Sequence, residues 1–240
     1  MTKCNNRVIT ISKESEMQFN EVHILFEQSG TFKKVFADKG YTVREYDIEN
    51  TPAVDISCDI FEHIDRRFEE INGTIFDNIP KGSLVLAFFP CTYFSDQSQL
   101  ISRGDSAGQK HWNLSSKLAT SSDQMKARTM YYQKLCRLCI IALQMQYNLV
   151  IENPLGKCGF LKQYFPIKER VVIKDRTKLG DYFKKPTQFF FVNCRPTFNL
   201  EKESEWNEFQ HKIVEQVHGF DRSRISPDFA KNFVELFILD

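Results

Sequence analysis

The sequence predicts an α/β fold with a mostly parallel central sheet flanked by helices, and three observations carry that expectation. Short apolar segments alternate with helical ones along most of the 240 residues, the order of βαβ units rather than of a sandwich or a bundle. The segment L-V-L-A-F-F, residues 84–89, is apolar without alternation, as a strand covered on both faces must be. A strand, a glycine turn, a helix and a second strand follow one another between Glu21 and Ile48, and the second strand closes on an acid, Asp47.

The elements can be taken in order. E-V-H-I-L-F (21–26) is the first strand, and the turn E-Q-S-G-T leads into a helix, F-K-K-V-F-A-D-K, with Gly40 as its C-cap. Y-T-V-R-E-Y-D-I (41–48) is the second strand. D-I-S-C-D-I-F-E-H-I holds a third, short one, with a helix over 62–72. The fourth strand, from Leu84, runs straight into Pro90-Cys91. A polar run over 96–121, rich in Ser, Gly and charge, follows; a loop of that length is a functional lid or binding loop, or else a solvated linker. A long helix capped near Ser122 or Asp123 comes next. Y-N-L-V-I-E-N-P is the fifth strand, R-V-V-I-K and T-Q-F-F-F-V-N are two more, and I-S-P-D-F-A-K-N-F-V-E-L-F-I-L closes the chain as an amphipathic helix. Residues 1–20 form an N-terminal extension in which R-V-I-T-I-S is a strand with no assigned place, and the whole chain reads as one domain.

Composition narrows the class. An apolar fraction of 42% and a charged fraction of 26% are those of a globular protein, and the net charge of +1 gives no global attraction to a polyanion. Any nucleic-acid contact therefore needs basic residues gathered on one face. No apolar run approaches the length that spans a bilayer, and the polar start M-T-K-C-N-N-R has no signal-peptide pattern. Seven scattered cysteines then fit a reducing cytoplasm. Cys136 and Cys139 form C-x-x-C within a helical pattern, with no second ligand pair at metal spacing, so a buried helix face is expected there and no metal.

Two strand ends carry chemistry. In an open α/β sheet the carboxyl ends of the strands hold the site, and neighbouring strands here deliver Cys91 and Glu152 to that edge. A thiolate can attack C6 of a pyrimidine when a glutamic acid protonates or holds the ring nitrogen N3, and the attack makes C5 nucleophilic. Each motif alone has a plainer explanation: a cysteine after a strand is often a small buried hydrophobe, and I-E-N-P can be a turn with Asn153 bonding its own backbone. Their occurrence in order, behind a glycine turn and an acid-tipped second strand, favours the chemistry. The glycine turn lets a ligand approach the backbone, and Asp47 can accept both hydrogen bonds of a ribose diol.

These motifs resemble those of the C5-cytosine-specific DNA methyltransferases, in particular the small members found in phages and mobile elements. F-F-P-C-T-Y-F-S resembles the family's Pro-Cys-x-x-Phe-Ser signature, and I-E-N-P-L-G its Glu-Asn-Pro motif. I-L-F-E-Q-S-G-T-F is similar to the first S-adenosylmethionine motif, L-G-D-Y-F-K-K-P-T-Q to the Lys-Pro-Thr stretch, and D-R-S-R-I-S-P-D-F-A to the closing helix, with Ser226 inserted. The resemblance covers roughly residues 22–238.

It implies a Rossmann-like S-adenosylmethionine-dependent methyltransferase fold without a sizeable target-recognition domain, since residues 195–222 form only a reduced insert. It implies methylation of cytosine C5 in DNA with S-adenosyl-L-methionine as cofactor. Cys91 would be the nucleophile and Glu152 the N3 proton donor, with Asn153, Pro154 and Ser95 supporting them. Phe26, Glu27, Ser29, Gly30, Thr31, Phe32, Asp47, Ile48, Asp59, Ile60 and Pro90 would hold the cofactor. Three departures stand out: Glu27-Gln28 replaces a small residue and glycine, the Gln-x-Arg-x-Arg element is missing, and Lys178 stands where phage-like members have glutamine. Arg176 or Lys178 would then hold the base. Arg103, with Lys110, His111 and Trp112 of an active-site loop over 96–121, would touch phosphates. Specificity would be weak or come from that loop or a partner protein. The alternatives are the same chemistry on RNA, single-stranded DNA or a pyrimidine nucleotide, or a catalytically silent relative that binds nucleic acid or protein.

Overall fold

The computed structural model describes residues 17–156, 159–198 and 224–239. Seven strands form one sheet: β1 (Glu21–Leu25), β2 (Thr42–Asp47), β3 (Ile56–Ser57), β4 (Leu84–Ala87), β5 (Asn148–Pro154), β6 (Glu169–Ile173) and β7 (Thr187–Val192). Their order is β3-β2-β1-β4-β5-β7-β6. The pairs from β3 to β5 are parallel, and β7 runs antiparallel to both β5 and β6. The expected α/β class with a mostly parallel sheet is therefore found, in an arrangement compatible with a Rossmann-like fold. The helices are α1 (Thr31–Asp38), α2 (Ile60–Phe68), α3 (Asp96–Arg103), α4 (Leu114–Met145), α5 (Phe160–Tyr164) and α6 (Pro227–Phe237). The R-V-I-T-I-S segment and most of the reduced insert lie outside the described residues.

Strand pleating sorts the apolar residues to two faces. On one, Leu25, Tyr46, Val85, Ala87, Leu149 and Ile151 pack with Ile60 and Ile64 of α2 and with Leu135, Leu138, Cys139 and Ile141 of α4. On the other, Val22, Ile24, Leu84, Leu86, Val150 and Phe189 pack with Phe32, Val35 and Phe36 of α1 and with Phe229, Phe233 and Val234 of α6. Because β4 is buried at every position, it needs the unbroken apolar run seen in the sequence; β7 is also buried throughout, with Thr187 and Gln188 ahead of its apolar residues. Cys139 lies buried within the α4 face, as expected for that C-x-x-C.

One expectation is overturned. The polar run over 96–121 is not a structureless loop: it folds as α3, a 3₁₀ turn at Ala107–Gln109 and the first turns of α4. Asn113 caps α4 by accepting from the Ser116 N–H at 2.8 Å, so the helix starts well before Ser122 and Asp123. At 1.5 Å per residue its 32 residues extend roughly 48 Å. Its buried residues lie mostly in the C-terminal half, whereas Leu114, Leu118 and Met125 are exposed. Polar composition misread this stretch because a solvated helix needs no apolar stripe. The helix expected over 62–72 is α2, shifted to Ile60–Phe68 because the Asp59 carboxylate caps it, accepting from Phe61 and Glu62 N–H.

The topology fixes where a ligand can sit. From β1 the chain steps outward to β2 and β3, then returns through β4 on the other side of β1. The ends of β1 and β4 therefore flank the point where strand order reverses, the crevice in which open sheets bind ligands.

Candidate active site

The Pro-Cys turn and the Glu-Asn-Pro strand end meet by register. Ala87, the last residue of β4, pairs with Ile151 of β5, so Glu152 begins just where β4 gives way to its loop. In that loop Cys91 is half-buried, and its carbonyl accepts from the N–H groups of Phe94 (2.9 Å) and Ser95 (3.2 Å), folding the chain back at once. Half-buried Pro90 stiffens the approach. Ser95 caps α3, its hydroxyl accepting from Ser98 N–H at 3.3 Å, which shapes the turn after Cys91. Asn153 is buried and donates to the Phe89 carbonyl at 3.2 Å, tying one strand end to the other. Beyond them, a Cβ on Gly156 would meet the Asp96 carboxylate, so glycine there lets the post-β5 loop lie close to α3 without moving that side chain.

Glu152 is 7% exposed, and its Oε1 lies 4.0 Å from Arg176 Nη1 and has no hydrogen-bond partner. A buried carboxyl oxygen left unpaired is costly unless something fills the place. Burial pushes the Cys91 thiol above its ordinary value, the Glu152 carboxylate adds to the rise, and the Lys185 ammonium opposes it. Nucleophile candidate and acid candidate thus share one electrostatic environment. Beneath Glu152, Gln188 of β7 sits opposite Asn153 and donates to the Pro154 carbonyl at 3.0 Å, with its own oxygen unpaired.

Arg176 lies deeper than its expected role requires. Fully buried, it pairs through Nε with Asp181 Oδ2 at 2.5 Å and stacks over Phe229 at 4.3 Å. Its Nη1, 4.0 Å from Glu152 Oε1, places the guanidinium behind the glutamate. Asp181 in turn accepts from Ser226 N–H at 3.0 Å, and Ser226 caps α6, giving the inserted serine a structural purpose. Lys178 is exposed on the 3₁₀ turn Arg176–Leu179, and Arg103 is exposed at the end of α3; nothing brings either against Cys91 or Glu152.

Across the crevice, the chain leaves β1 with Phe26 in the left-handed region (φ 62), its ring against Phe61 and Phe89. Gly30 has φ +72, and a Cβ there would meet the Ala53 Cβ at 2.9 Å, so this position admits only glycine. The loop is held from inside. The Glu27 carboxylate accepts from Ser29 N–H (3.0 Å), Ser29 hydroxyl and Gly30 N–H (3.1 Å), and Glu45 accepts from the same Gly30 N–H at 3.1 Å. Thr31 begins α1, its hydroxyl 2.7 Å from that of Ser29. Burial, then the neighbouring Glu27 carboxylate, raises Glu45 to about 8.

The fit to S-adenosylmethionine divides into two halves. Asp47 closes β2 half-exposed, with Oδ1 accepting from Glu49 N–H at 2.9 Å, and next to it Ile48 is 66% exposed. A carboxylate beside a bare apolar surface suits a ribose and an adenine ring, with the exposed Asp59 nearby. The loop amides, by contrast, are already occupied by Glu27, so they do not await a ligand's carboxylate. Phe32 and Ile60 are buried core residues.

Three residues of the site escaped sequence reasoning. Lys185 stands in K-K-P-T, where a basic pair before Pro-Thr was the available signal. Asp181 and Arg128 gave none. Arg128, buried on α4, donates to Tyr93 O (2.8 Å) and to Ser98 and Ser102 hydroxyls (both 3.2 Å), and lies over Phe160 at 5.3 Å. It fastens the Cys91 turn to two helices. Among the described residues no helix is long and apolar enough to cross a membrane, and no cluster of three His, Cys, Asp or Glu side chains could hold a metal ion. No family profile matches the chain, and no curated protein matches it significantly in sequence.

Proposed function

We propose that this protein methylates C5 of cytosine in DNA through a covalent bond between Cys91 and C6, with S-adenosyl-L-methionine as methyl donor. One observation carries the proposal: a half-buried cysteine shares an electrostatic environment with a buried glutamate whose Oε1 has no hydrogen-bond partner. When bound, the donor supplies an electrophilic sulfonium methyl. Cys91 Sγ forms a bond to C6; the displaced ring electrons reach N3, which takes a proton from Glu152. C5, now nucleophilic, takes the methyl group, then loses its proton to a base. The C6–Sγ bond breaks as the ring is restored, returning the thiolate to Cys91 and the N3 proton to Glu152. Asp47 and Ile48 would hold the nucleoside half of the donor.

In duplex DNA the target base must leave the stack to reach Cys91. Exposed Lys110, His111 and Trp112, between α3 and α4, are basic and aromatic groups suited to the backbone and bases. A second reading, the same chemistry on single-stranded DNA or RNA, is favoured by the short insert, which leaves little chain to read a duplex unless a partner protein does so. Methyl transfer from radiolabelled S-adenosylmethionine to duplex DNA, single-stranded DNA and RNA tests the proposal. Label on cytosine C5 in any of them supports the chemistry and names the substrate; cofactor binding with no transfer to any would contradict it.

A further inference from the structure

The structure assigns Asp181 as a positioning residue that takes up the charge of Arg176 and keeps the guanidinium out of hydrogen-bond reach of Glu152. This inference rests on the covalent reading above and deepens it, because an acid that gives a proton to N3 has to be able to hold one. A free arginine behind a buried glutamate would favour the carboxylate instead. Two distances decide between the partners: Arg176 Nε lies 2.5 Å from Asp181 Oδ2, whereas Nη1 lies 4.0 Å from Glu152 Oε1.

The fold holds Asp181 in place for this. Its Oδ1 accepts from the N–H groups of Tyr182 (2.8 Å) and Ser226 (3.0 Å), so the carboxylate keeps its orientation while Oδ2 meets the arginine. The Ser226 hydroxyl donates to the Gly180 carbonyl at 2.6 Å, and Asn232 Nδ2 donates to the Leu179 carbonyl at 3.1 Å, which docks α6 on the turn that carries Arg176. Gly180 has φ +86, and a Cβ there would meet the Asp228 Cβ at 2.8 Å, so this close approach needs glycine. The ring of Phe229 lies against the guanidinium at 4.3 Å.

The charged groups around the glutamate sort by element. Cys91 acts on it from the turn after β4, with Lys185 of the segment before β7 acting on the same thiol; Arg176 stands behind it, and the residue opposite on β7 is the uncharged Phe189. Asp228 of α6 and Lys178 of the Arg176 turn are exposed. Arg176 and Asp181 together carry no net charge, and Glu152 keeps an Oε1 without a hydrogen-bond partner. Arg176 Nη2 has no such partner either, so the guanidinium has a donor to offer Glu152 once Asp181 no longer holds it.

The test uses the full chain and needs no substrate. The carboxyl stretch of protonated Glu152 is followed against pH by infrared difference spectroscopy and assigned by its loss in Glu152→Gln. Asp181→Asn is expected to move the midpoint of that band down by at least about one unit, as an unneutralised arginine beside a carboxyl requires. Adding Arg176→Met to Asp181→Asn is expected to bring it back to the wild-type value. An unchanged midpoint in folded Asp181→Asn overturns the inference, and so does a midpoint that stays low in the double variant. Should Asp181→Asn fail to fold, Glu152→Gln gives the answer by urea denaturation: losing a carboxylate that Arg176 does not use leaves the denaturation midpoint unchanged or raises it, and a midpoint that falls makes Glu152 the arginine's partner and overturns the inference. Failure here, with methyl transfer intact, would leave the covalent chemistry standing and remove only Asp181; the expected shifts in a protein that transfers no methyl group would support the charge arrangement alone.

Discussion

Asn153 Nδ2 donates to the carbonyl of Phe89 at 3.2 Å, and both residues are buried. This bond joins the residue after the candidate acid to the residue two before the candidate nucleophile. It makes the separation of Cys91 and Glu152 a property of the sheet rather than of two independent loops. Asn153→Asp keeps the shape but sets an acceptor against a carbonyl. It is expected to cost about 1–3 kcal/mol in urea denaturation and to reduce methyl transfer more than cofactor affinity. Equal losses in both would mean that the bond serves folding alone.

Arg128 holds the same turn from the other side through Tyr93 O and two serine hydroxyls. Arg128→Met retains the apolar stem and removes every donor, leaving the Tyr93 carbonyl with the Ser98 hydroxyl alone. A loss of at least about 2 kcal/mol in stability is expected, together with faster proteolysis between α3 and α4. Wild-type stability would show that the three contacts are not formed in solution.

The acid pair under the glycine turn predicts a pH dependence. Glu45 titrates near 8 in the folded chain against an ordinary value of 4.5, so the folded state binds more protons than the unfolded state between those limits. The stability it contributes is complete below about pH 4.5 and lost as pH rises through about 8. Glu45→Gln keeps a neutral partner for Glu27 at all pH. The variant is expected to gain on wild type by about 3 kcal/mol between pH 5 and pH 9 in thermal melts, the order of magnitude such a shift carries. Parallel curves would mean that Glu45 is not raised in the folded chain.

Asp47 and exposed Ile48 carry the expected nucleoside contact. Asp47→Ala is expected to weaken S-adenosylmethionine binding by about tenfold in calorimetry, the value of one good hydrogen bond to a charged group. Unchanged affinity would place the ribose elsewhere.

Much of this architecture was legible in the chain. L-V-L-A and F-F-F-V are legible as strands because burial on both faces favours unbroken apolar runs, and β1, β2 and β5 begin and end within a residue or so of their expected bounds. Cys91 and Glu152 could be brought to one edge because strand ends in a parallel sheet share it. What composition could not show was long-range pairing of charge. Arg176 reads as a surface cation until Asp181 and Phe229 enclose it, and Arg128 is one of several basic residues on a polar helix. The helical state of 96–121 was hidden because its caps, Ser95 and Asn113, lie among many other polar residues that resemble a loop.

The central claim is the bond between Cys91 and C6, and trapping tests it most directly. Protein and S-adenosylmethionine are incubated with DNA carrying 5-fluorocytosine, alongside the equivalent RNA, because the fluorine cannot be removed after methyl transfer. The account predicts a denaturation-resistant adduct that carries the methyl group and disappears in Cys91→Ser. Cofactor binding without an adduct on either nucleic acid, or an adduct that survives in Cys91→Ser, would contradict it.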